Sequence, residues 1–361
     1  MRDTLLGYDV KDIDLATTHS PDDLLAMAKQ AGFKTILSGI DHGTVRFIVD
    51  HDSFEITTLR SDLSTDGRHA KVCFTQSWED DAARRDFTCN ALFLDLEGNL
   101  HDYFGGMKDL RQRHLRFIGN PRDRLQEDYL RCLRYFRFFA RFATASPDSI
   151  TLQALKESRP FLKYLSKERL TYEIKGLLNH PAPQQSLSLM KETQILRTVL
   201  GDYLRYDLLS SLLDLEKQYS LVPSWIVRLA CLFFDTPKQA SLFLALSKHQ
   251  KNLLNFLHKQ SISPDSVDFL LYNYDTETVY RCLVIQKIAG HSFSLNKAFT
   301  TVQSWSPIAF PLTGKDALAL GLKGKDIGIA LNHVLTWWLQ KQRTPGKEEC
   351  LTHLEKVSKK Q

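Results

Sequence analysis

Runs in which apolar and polar residues alternate, a pattern typical of β-strands, are confined to about the first 120 residues. They lie at residues 44–49, 54–59 and 91–96, and a helical stretch precedes them at 22–31. From Arg122 onward, apolar residues recur with a helical period, and turn signals such as 179–183 and 261–264 separate the segments. The pattern predicts an α/β head, a mixed sheet with helices, followed by an all-α remainder.

A chain of 361 residues is too long for one hydrophobic core, and roughly 150 residues per domain predicts two to four units. We place soft boundaries near residues 120, 195 and 300. The last of these precedes segment 304–311, where two prolines interrupt the helical pattern. The predicted organisation is therefore a head at 1–120 and helical regions at 121–195, 196–300 and 301–361.

Composition narrows the class of protein. Residues are 43% hydrophobic and 25% charged, as in soluble globular proteins, and the net charge of +5 decides little alone. Six separated cysteines without a CxxC pair argue against a zinc site or a secreted disulfide scaffold. Asp235 and Lys238 break the apolar run 229–246 before it reaches membrane-spanning length. We expect a cytoplasmic protein with no membrane contact and no obligate protein partner.

The segment KDIDL at 11–15 is the first candidate for chemistry. On a strand, Asp12 and Asp14 point to one face while Ile13 and Leu15 point into the core. Two converging carboxylates need a cation between them, and hard oxygen ligands beside a phosphate favour Mg²⁺. A solvent-facing turn is the alternative, and it explains most DxD pairs.

Glu55, in the strand-like FEITTLR at 54–60, is a candidate third catalytic carboxylate. Two-metal nucleotidyl transfer uses such a trio, in which one ion activates the attacking hydroxyl and the other holds the triphosphate and the departing pyrophosphate. The alternative is a solvent-facing glutamate on a half-buried strand.

The segment RRDFTCNAL at 84–92 sets Arg85 beside Asp86 and Asn90, just before an apolar strand. Guanidinium forks suit phosphate oxygens, whereas Asp and Asn suit ribose hydroxyls. A surface salt-bridge cluster is the alternative. The segment resembles the RRDFTxNAL signature of the bacterial CCA-adding enzyme and poly(A) polymerase superfamily. DYFGGMKDL at 102–110 resembles its DxxGGxxDL element, for which we expect a structural role.

The segment EDYLRCLRYFRFFARF at 127–142 predicts a helix with a slowly winding stripe of arginines every third residue, opposite a buried apolar side. An exposed helix face with an Asp128–Arg131 pair is the alternative. The segment resembles EDxxRxxRxxRF, which selects the incoming base in class II tRNA nucleotidyltransferases. The resemblance implies that Asp128 accepts from, and Arg131 donates to, the Watson–Crick edge of cytosine or adenine. Arg134 and Arg137 would hold the triphosphate or the protein template.

This family resemblance implies a head followed by a helical neck, body and tail, and addition of CCA to tRNA from CTP and ATP. Poly(A) synthesis within the same superfamily is the alternative. DHGTV at 41–45 and TDGRHA at 65–70 look like CCA-adding members, the latter as the flexible loop used in switching from C to A. The chain also lacks the strongly basic extension after Gln361 that is typical of the poly(A) polymerases.

The helical remainder offers fewer signals. SKERL at 166–170 resembles the start of the family's neck helix, with Ser166 as its N-cap. Glycine- and lysine-rich segments at 311–316 and 320–328 could grip tRNA phosphates, although helix-joining turns explain them equally well. Trp337 and Trp338 favour a tail core over a base-stacking platform.

The N-terminal MRDTLLG resembles VRDxLLG of class II enzymes, in which a strand and a Gly-Gly pair come first. We therefore expect the natural start to lie upstream of Met1. Arg2 matches the family's triphosphate-binding arginine. A non-catalytic tRNA-binding remnant is the alternative from a different functional class.

Overall fold

The computed structural model describes residues 1–10, 13–37, 39–50, 52–65, 70–259, 267–306, 309–341 and 343–358. By contacts the chain divides into two compact units. The first comprises Met1–Leu204, Pro223–Trp225 and Gln239–Ser247, and the second comprises Arg205–Val222, Ile226–Lys238 and Lys248–Gln361. The head, neck, body and tail boundaries inferred from the sequence stay predictions.

All described strands lie before residue 103. They are β1 (Asp14–Thr17), β2 (Lys34–Ile36), β3 (Thr44–Val49), β4 (Asp52–Thr58), β5 (Arg60–Thr65), β6 (Ala70–Phe74), β7 (Leu92–Leu94) and β8 (Leu100–Asp102). The main sheet has the order β1-β4-β3-β2, with β1 parallel to β4 and the other pairs antiparallel. Two antiparallel hairpins, β5–β6 and β7–β8, follow. The predicted mixed sheet is confirmed.

Helices of the head and of the following region alternate with these strands and then replace them. They are α1 (Arg2–Leu5), α2 (Pro21–Ala31), α3 (Trp78–Ala83), α4 (Gly106–Arg111), α5 (Pro121–Glu127), α6 (Leu130–Phe142), α7 (Ser149–Ser158), α8 (Lys167–Leu178), α9 (Gln184–Glu192) and α10 (Ile195–Leu200). Short 3₁₀ turns lie at Ile40–His42, Thr88–Asn90 and Arg159–Tyr164.

The remaining helices complete the all-α part. They are α11 (Tyr206–Gln218), α12 (Trp225–Leu232), α13 (Ala240–Phe243), α14 (Lys248–Lys259), α15 (Val267–Asn273), α16 (Thr276–Ile288), α17 (Leu295–Ser304), α18 (Gly314–Ala319), α19 (Lys325–Gln340) and α20 (Lys347–Ser358). The described residues beyond 120 contain no strand, which confirms the predicted change of class. None of the described helices is both long and apolar enough to span a membrane.

The two ends of α2 show how local sequence determines the bounds of an element in the head. Ser20 and Asp23 form a capping box in which each side chain accepts the other's backbone N–H, at 3.2 Å in both directions. Gly32 ends the helix at φ 75°, a conformation that glycine adopts without strain. The apolar side of α2 packs on Val45 and Phe47 of β3, which are 0% and 9% exposed. One face of the sheet is thereby covered, and the alternate residues of β3 and β4 face the other way.

Helix α6 carries the aromatic core of the first unit. Tyr135 and Phe139 are buried, and the Tyr135 ring stacks on Phe117 with centroids 5.5 Å apart. Phe87, within the RRDFTCNAL segment, packs on both Phe117 and Tyr135. These rings fix the head signature against α6, and this packing positions the site described below.

In the second unit, Arg228 and Glu216 form an ion pair in which Arg228 is 1% exposed. Trp338 of α19 is buried and donates from Nε1 to the Pro345 carbonyl at 3.0 Å, so its predicted place in the tail core is confirmed. Gly321 and Gly324 have φ of 87° and 56°, as in turns. The predicted turn at 261–264, the tip of the loop at 66–69 and residues 359–361 lie outside the described residues.

Candidate active site

Asp14 and Glu55 stand side by side on the exposed face of the main sheet. They are register partners on the parallel strands β1 and β4, so their side chains leave the sheet in the same direction. Glu55 also faces Arg46 of β3, and the two form an ion pair. Asp12, the other predicted metal ligand, lies outside the described residues.

The chemistry of this pair fits a hard cation. Two carboxylates on adjacent strands offer only oxygen, the donor that Mg²⁺ prefers. In the described part of the chain, Asp14 makes no ion pair. Nor does that part contain a cluster of three or more His, Cys, Asp or Glu side chains. A complete metal site would therefore require Asp12 or a group from substrate.

The two arginines that open RRDFTCNAL share one buried carboxylate, Asp81 of α3. Arg84 donates to its Oδ1 from Nε and Nη2 at 2.8 and 2.7 Å, and Arg85 donates to its Oδ2 from Nη2 at 3.0 Å. Burial alone would raise the pKa of Asp81, but the charges of Arg84 and Arg85 lower it below its usual value. Sequence reasoning missed Asp81, although its spacing of three and four residues from the arginines is a recognisable helical signal.

Asp86 is the centre of a network that joins three separate segments. Its Oδ1 accepts from Asn90 Nδ2 at 2.7 Å and from the Phe87 N–H at 2.9 Å. Its Oδ2 accepts from Arg134 Nε of α6 at 2.6 Å. Asn90 Oδ1 in turn accepts from Arg2 Nη1 of α1. The structure thus brings together four of the predicted nucleotide-binding residues.

Electrostatics in this network favour charge on Asp86. Burial alone would raise its pKa, but the charge of Arg134 and the hydrogen bonds from Arg134 and Asn90 lower it below its ordinary value. The same carboxylate raises the pKa of Arg134 against the effect of burial. At neutral pH Asp86 is therefore an acceptor for nearby donors and not a source of protons.

Each arginine further along α6 meets an acidic residue of a different element. Arg137 Nε lies 2.7 Å from Glu173 Oε2 of α8, although neither atom has a partner in hydrogen-bond geometry, so the contact is an unaligned ion pair. Arg141 Nη2 lies 3.2 Å from Asp3 Oδ2 of α1. Burial raises the pKa of Glu173 despite the nearby arginines. The predicted basic stripe is thus largely paired within the protein.

Asp128 lies at a break between α5 and α6. Its extended backbone, φ −155° and ψ 105°, ends α5, and its Oδ1 accepts the Leu130 N–H at 3.0 Å. Its Oδ2 accepts from Arg169 Nη2 of α8 at 2.6 Å. Ser166 caps α8, as expected, by accepting the Arg169 N–H at 3.4 Å. Both oxygens of Asp128, the predicted base-reading carboxylate, therefore accept hydrogen bonds from the protein.

The side chain of Arg131 is only 12% exposed, which is less than we expected for a residue that reads the base of a nucleotide. Its Nη1 donates to Glu127 and to the Arg124 carbonyl, and its Nη2 donates to the Arg84 carbonyl at 2.9 Å. A guanidinium has five N–H groups, so these three bonds leave two for a ligand. The described contacts pair Arg131 with Glu127, while Asp128 pairs with Arg169.

The DYFGGMKDL segment builds the tight turn that starts α4. Asp102 accepts the N–H groups of Gly106 and Met107 at 2.8 and 2.9 Å, which caps α4. A Cβ on Gly106 would lie 2.2 Å from the Thr88 carbonyl oxygen, so only glycine fits against the signature segment. The expected structural role is confirmed.

Comparisons with known proteins extend over nearly the whole chain. The family described as Poly A polymerase head domain matches residues 1–116, and the probable RNA and SrmB-binding site of polymerase A matches residues 146–204. The chain is 34% identical to human mitochondrial CCA tRNA nucleotidyltransferase 1, over 99% of this chain and 85% of that protein. It is 29% identical to the Bacillus subtilis CCA-adding enzyme, over 98% and 91% respectively.

Solved structures agree in fold. The Bacillus stearothermophilus CCA-adding enzyme in complex with CTP aligns with a TM-score of 0.76 at 24% identity, covering 99% of this chain and 91% of that one. The Thermotoga maritima CCA-adding enzyme complexed with tRNA_CCA aligns with a TM-score of 0.65 at 19% identity, covering 98% and 88%. At these identities the likeness establishes the architecture.

Proposed function

The chain belongs to the CCA-adding tRNA nucleotidyltransferases, and on that premise we propose how its own residues add C, C and A to tRNA 3′ ends from CTP and ATP. The observation that carries the proposal is the continuous network Arg2–Asn90–Asp86–Arg134. It joins the N-terminal segment, the RRDFTCNAL segment and the arginine-striped helix, which are three of the motifs that carried the family resemblance.

The reaction is attack of the tRNA 3′ hydroxyl on the α-phosphorus of the bound nucleotide. The bond between the α-phosphorus and its bridging oxygen breaks, and pyrophosphate leaves. We assign Asp14 and Asp12 as metal ligands and Glu55 as the third catalytic carboxylate. Bound Mg²⁺ would neutralise phosphate charge and lower the pKa of the attacking hydroxyl. Arg46 holds Glu55 on the same sheet face and limits its freedom to turn away.

Binding of the triphosphate falls to three arginines, of which Arg2 and Arg134 belong to the Asp86 network and Arg137 pairs with Glu173. We propose that Arg2, Arg134 and Arg137 contact phosphate oxygens, because guanidinium forks match their geometry. Arg85 is held by Asp81 and donates to the Asn90 carbonyl at 2.9 Å, and we propose that it orients Asn90 toward the ribose. Asp86 would serve as an acceptor for ribose hydroxyls or as the anchor of Arg134.

Base choice falls to Asp128 and Arg131. Each oxygen of Asp128 accepts one described hydrogen bond, and a carboxylate oxygen has two lone pairs, so acceptor capacity remains for the amino group of cytosine or adenine. The two uncommitted N–H groups of Arg131 suit the adjacent ring nitrogen. Uracil and guanine present the opposite polarity at those positions. The hydrogen bond from Arg169 fixes the position of the Asp128 carboxylate, so that it can distinguish cytosine and adenine from uracil and guanine.

The test is incorporation of each radiolabelled nucleoside triphosphate into tRNA that lacks its CCA end, with intact tRNA as the control. We expect CTP and then ATP to be incorporated, with synthesis stopping after CCA. Long tails from ATP alone would support poly(A) synthesis, which the named relatives do not favour. Binding of tRNA without incorporation would favour a non-catalytic remnant.

We also propose the cytoplasm as the site of action. The six cysteines are free, and five of them are buried, which suits a reducing compartment. A mitochondrial relative makes an organelle the alternative. Fractionation of cells expressing a tagged chain distinguishes the two.

A further inference from the structure

The ring of Phe138 in α6 makes cation–π contacts with three guanidinium groups. The Cζ atoms of Arg2, Arg137 and Arg134 lie 4.4, 4.9 and 5.4 Å from its centroid. A cation within about 6 Å of an aromatic face is attracted by the quadrupole of the ring. Phe138 is 6% exposed, so little water screens these contacts. One neutral side chain therefore contacts all three arginines proposed to hold the triphosphate.

The ring itself is held from the head. Phe87 packs against it edge to face, with centroids 5.6 Å apart and planes at 72°. Phe87 follows Asp86, whose carboxylate binds Arg134. The position of the ring and the direction of Arg134 are thus set by adjacent residues of one segment.

The neighbouring helix α8 is shaped around the same group. A Cβ on Gly176 would lie 2.5 Å from Cδ of Arg137, so a larger residue there would displace the stem of that arginine. Glycine inside a helix costs about 0.5–1 kcal/mol relative to alanine. At position 176 alanine would stabilise the helix more than glycine does, yet glycine leaves space for the Arg137 side chain beside the Phe138 ring.

Each of the three arginines also pairs with a carboxylate: Arg2 with Asp3, Arg134 with Asp86 and Arg137 with Glu173. The neutral ring adds an attraction of a different kind. Three guanidiniums close together repel one another. Their carboxylate partners relieve that repulsion, but each one uses N–H groups that could otherwise bind phosphate. An aromatic face attracts a cation through the quadrupole of the ring and leaves unoccupied the N–H groups that point away from it. The ring thereby helps to hold the three arginines together without using further N–H groups.

We propose that Phe138 is a positioning residue that holds Arg2, Arg134 and Arg137 in the arrangement that binds the nucleotide triphosphate. The inference rests on the proposed function of these arginines. It predicts an effect on recognition of the β- and γ-phosphates and little effect on recognition of base and ribose. Phe138 itself contacts no reacting atom.

The test replaces Phe138 with mono-, di- and trifluorinated phenylalanine, which weakens the negative face of the ring with little change in its shape. Dissociation constants of CTP and CMP are measured for the full chain in Mg²⁺ buffer. We expect the CTP constant to rise stepwise, by roughly tenfold for the trifluoro ring, while the CMP constant changes by less than about twofold. In an Arg137→Gln background the fluorine effect should shrink.

Phe139 supplies a matched control, because it is the adjacent phenylalanine of α6, is 2% exposed and has no described cation over its ring. Fluorination there should leave CTP binding unchanged. A flat CTP series at position 138, or equal weakening of CTP and CMP, would overturn the inference while the proposed function stands. Failure of the unmodified chain to bind CTP would overturn both.

Discussion

Nε of Arg134 donates a 2.6 Å hydrogen bond to Oδ2 of Asp86, a carboxylate 48 residues earlier in the chain. Asp86 is 6% exposed, and its other oxygen is held by Asn90. The bond fixes the signature segment of the head to the arginine-striped helix. The precision of the proposed nucleotide site depends on this junction.

Asp86→Asn should lower stability and nucleotide affinity together. Asparagine keeps the shape but loses the charge, which leaves Arg134 without its anionic partner. Hydrogen bonds to charged groups contribute about 1.5–3 kcal/mol, so we expect a loss of about 2 kcal/mol in the free energy of unfolding. Urea unfolding measures it. Asp123→Asn is the control, since Asp123 is exposed on α5. Equal stability of Asp86→Asn and the unsubstituted chain would show that the charge of Asp86 does not stabilise the fold.

The contribution of Asp86 should also depend on pH. Its pKa is lower in the folded protein than in the unfolded chain, where it is about 3.9. Such a group contributes stability that is present above the unfolded pKa and is lost as pH falls through the folded pKa. The difference in unfolding free energy between the unsubstituted chain and Asp86→Asn should therefore stay constant from about pH 7 to pH 5 and shrink below about pH 4. Urea unfolding across this range tests it, and a difference that grows in acid would contradict it.

Asp14→Asn and Glu55→Gln should each abolish most incorporation while leaving the fold intact. Loss of several kcal/mol of transition-state stabilisation corresponds to a fall in kcat of roughly a hundredfold or more. Single-turnover incorporation of CTP measures the fall, and circular dichroism checks the fold. Asp52→Asn is the control, because Asp52 is an exposed carboxylate at the start of β4, three residues before Glu55. Normal turnover by Asp14→Asn would show that Asp14 is not a catalytic residue.

Gly176→Ala should weaken nucleotide binding even though alanine favours helices. The new Cβ would meet Cδ of Arg137 at 2.5 Å and push that arginine from its place. We expect a higher KM for CTP, with a smaller change in kcat. Gly328→Ala in α19 is the control, since open space surrounds that position and the substitution should stabilise its helix by about 0.5–1 kcal/mol. An unchanged KM for Gly176→Ala would show that nucleotide binding does not depend on the present position of the Arg137 side chain.

Short-range patterns predicted much of the head. Strand β3 occupies the predicted residues 44–49, and α2 begins one residue before the predicted helix because Ser20 and Asp23 cap it. The adjacency of Asp14 and Glu55 could not be read from sequence, because it depends on parallel pairing of strands about forty residues apart. Alternation along each strand did indicate that both carboxylates leave the buried face.

Long-range partners account for what sequence reasoning missed. Asp128 was considered with Arg131, three residues away, yet its ion-pair partner in the described structure is Arg169, 41 residues away. No local signal specifies that pair, since it forms only when α8 packs on α6. Phe138 was likewise not distinguished from the other apolar positions of α6. Its contacts require α1, whose place is set by tertiary packing alone.

In the proposed mechanism, protein side chains select C and A without a nucleic-acid template. This selection is measured by the ratio of kcat/KM for CTP to that for UTP on tRNA lacking CCA. The ratio is compared among the unsubstituted chain, Asp128→Ala, Arg169→Gln and the control Asp123→Ala. We expect Asp128→Ala to lower the ratio by roughly 10- to 100-fold, the effect of losing one charge-assisted hydrogen bond, and Arg169→Gln to lower it less. The control should keep the ratio. An unchanged ratio in Asp128→Ala would contradict the claim that this carboxylate reads the base.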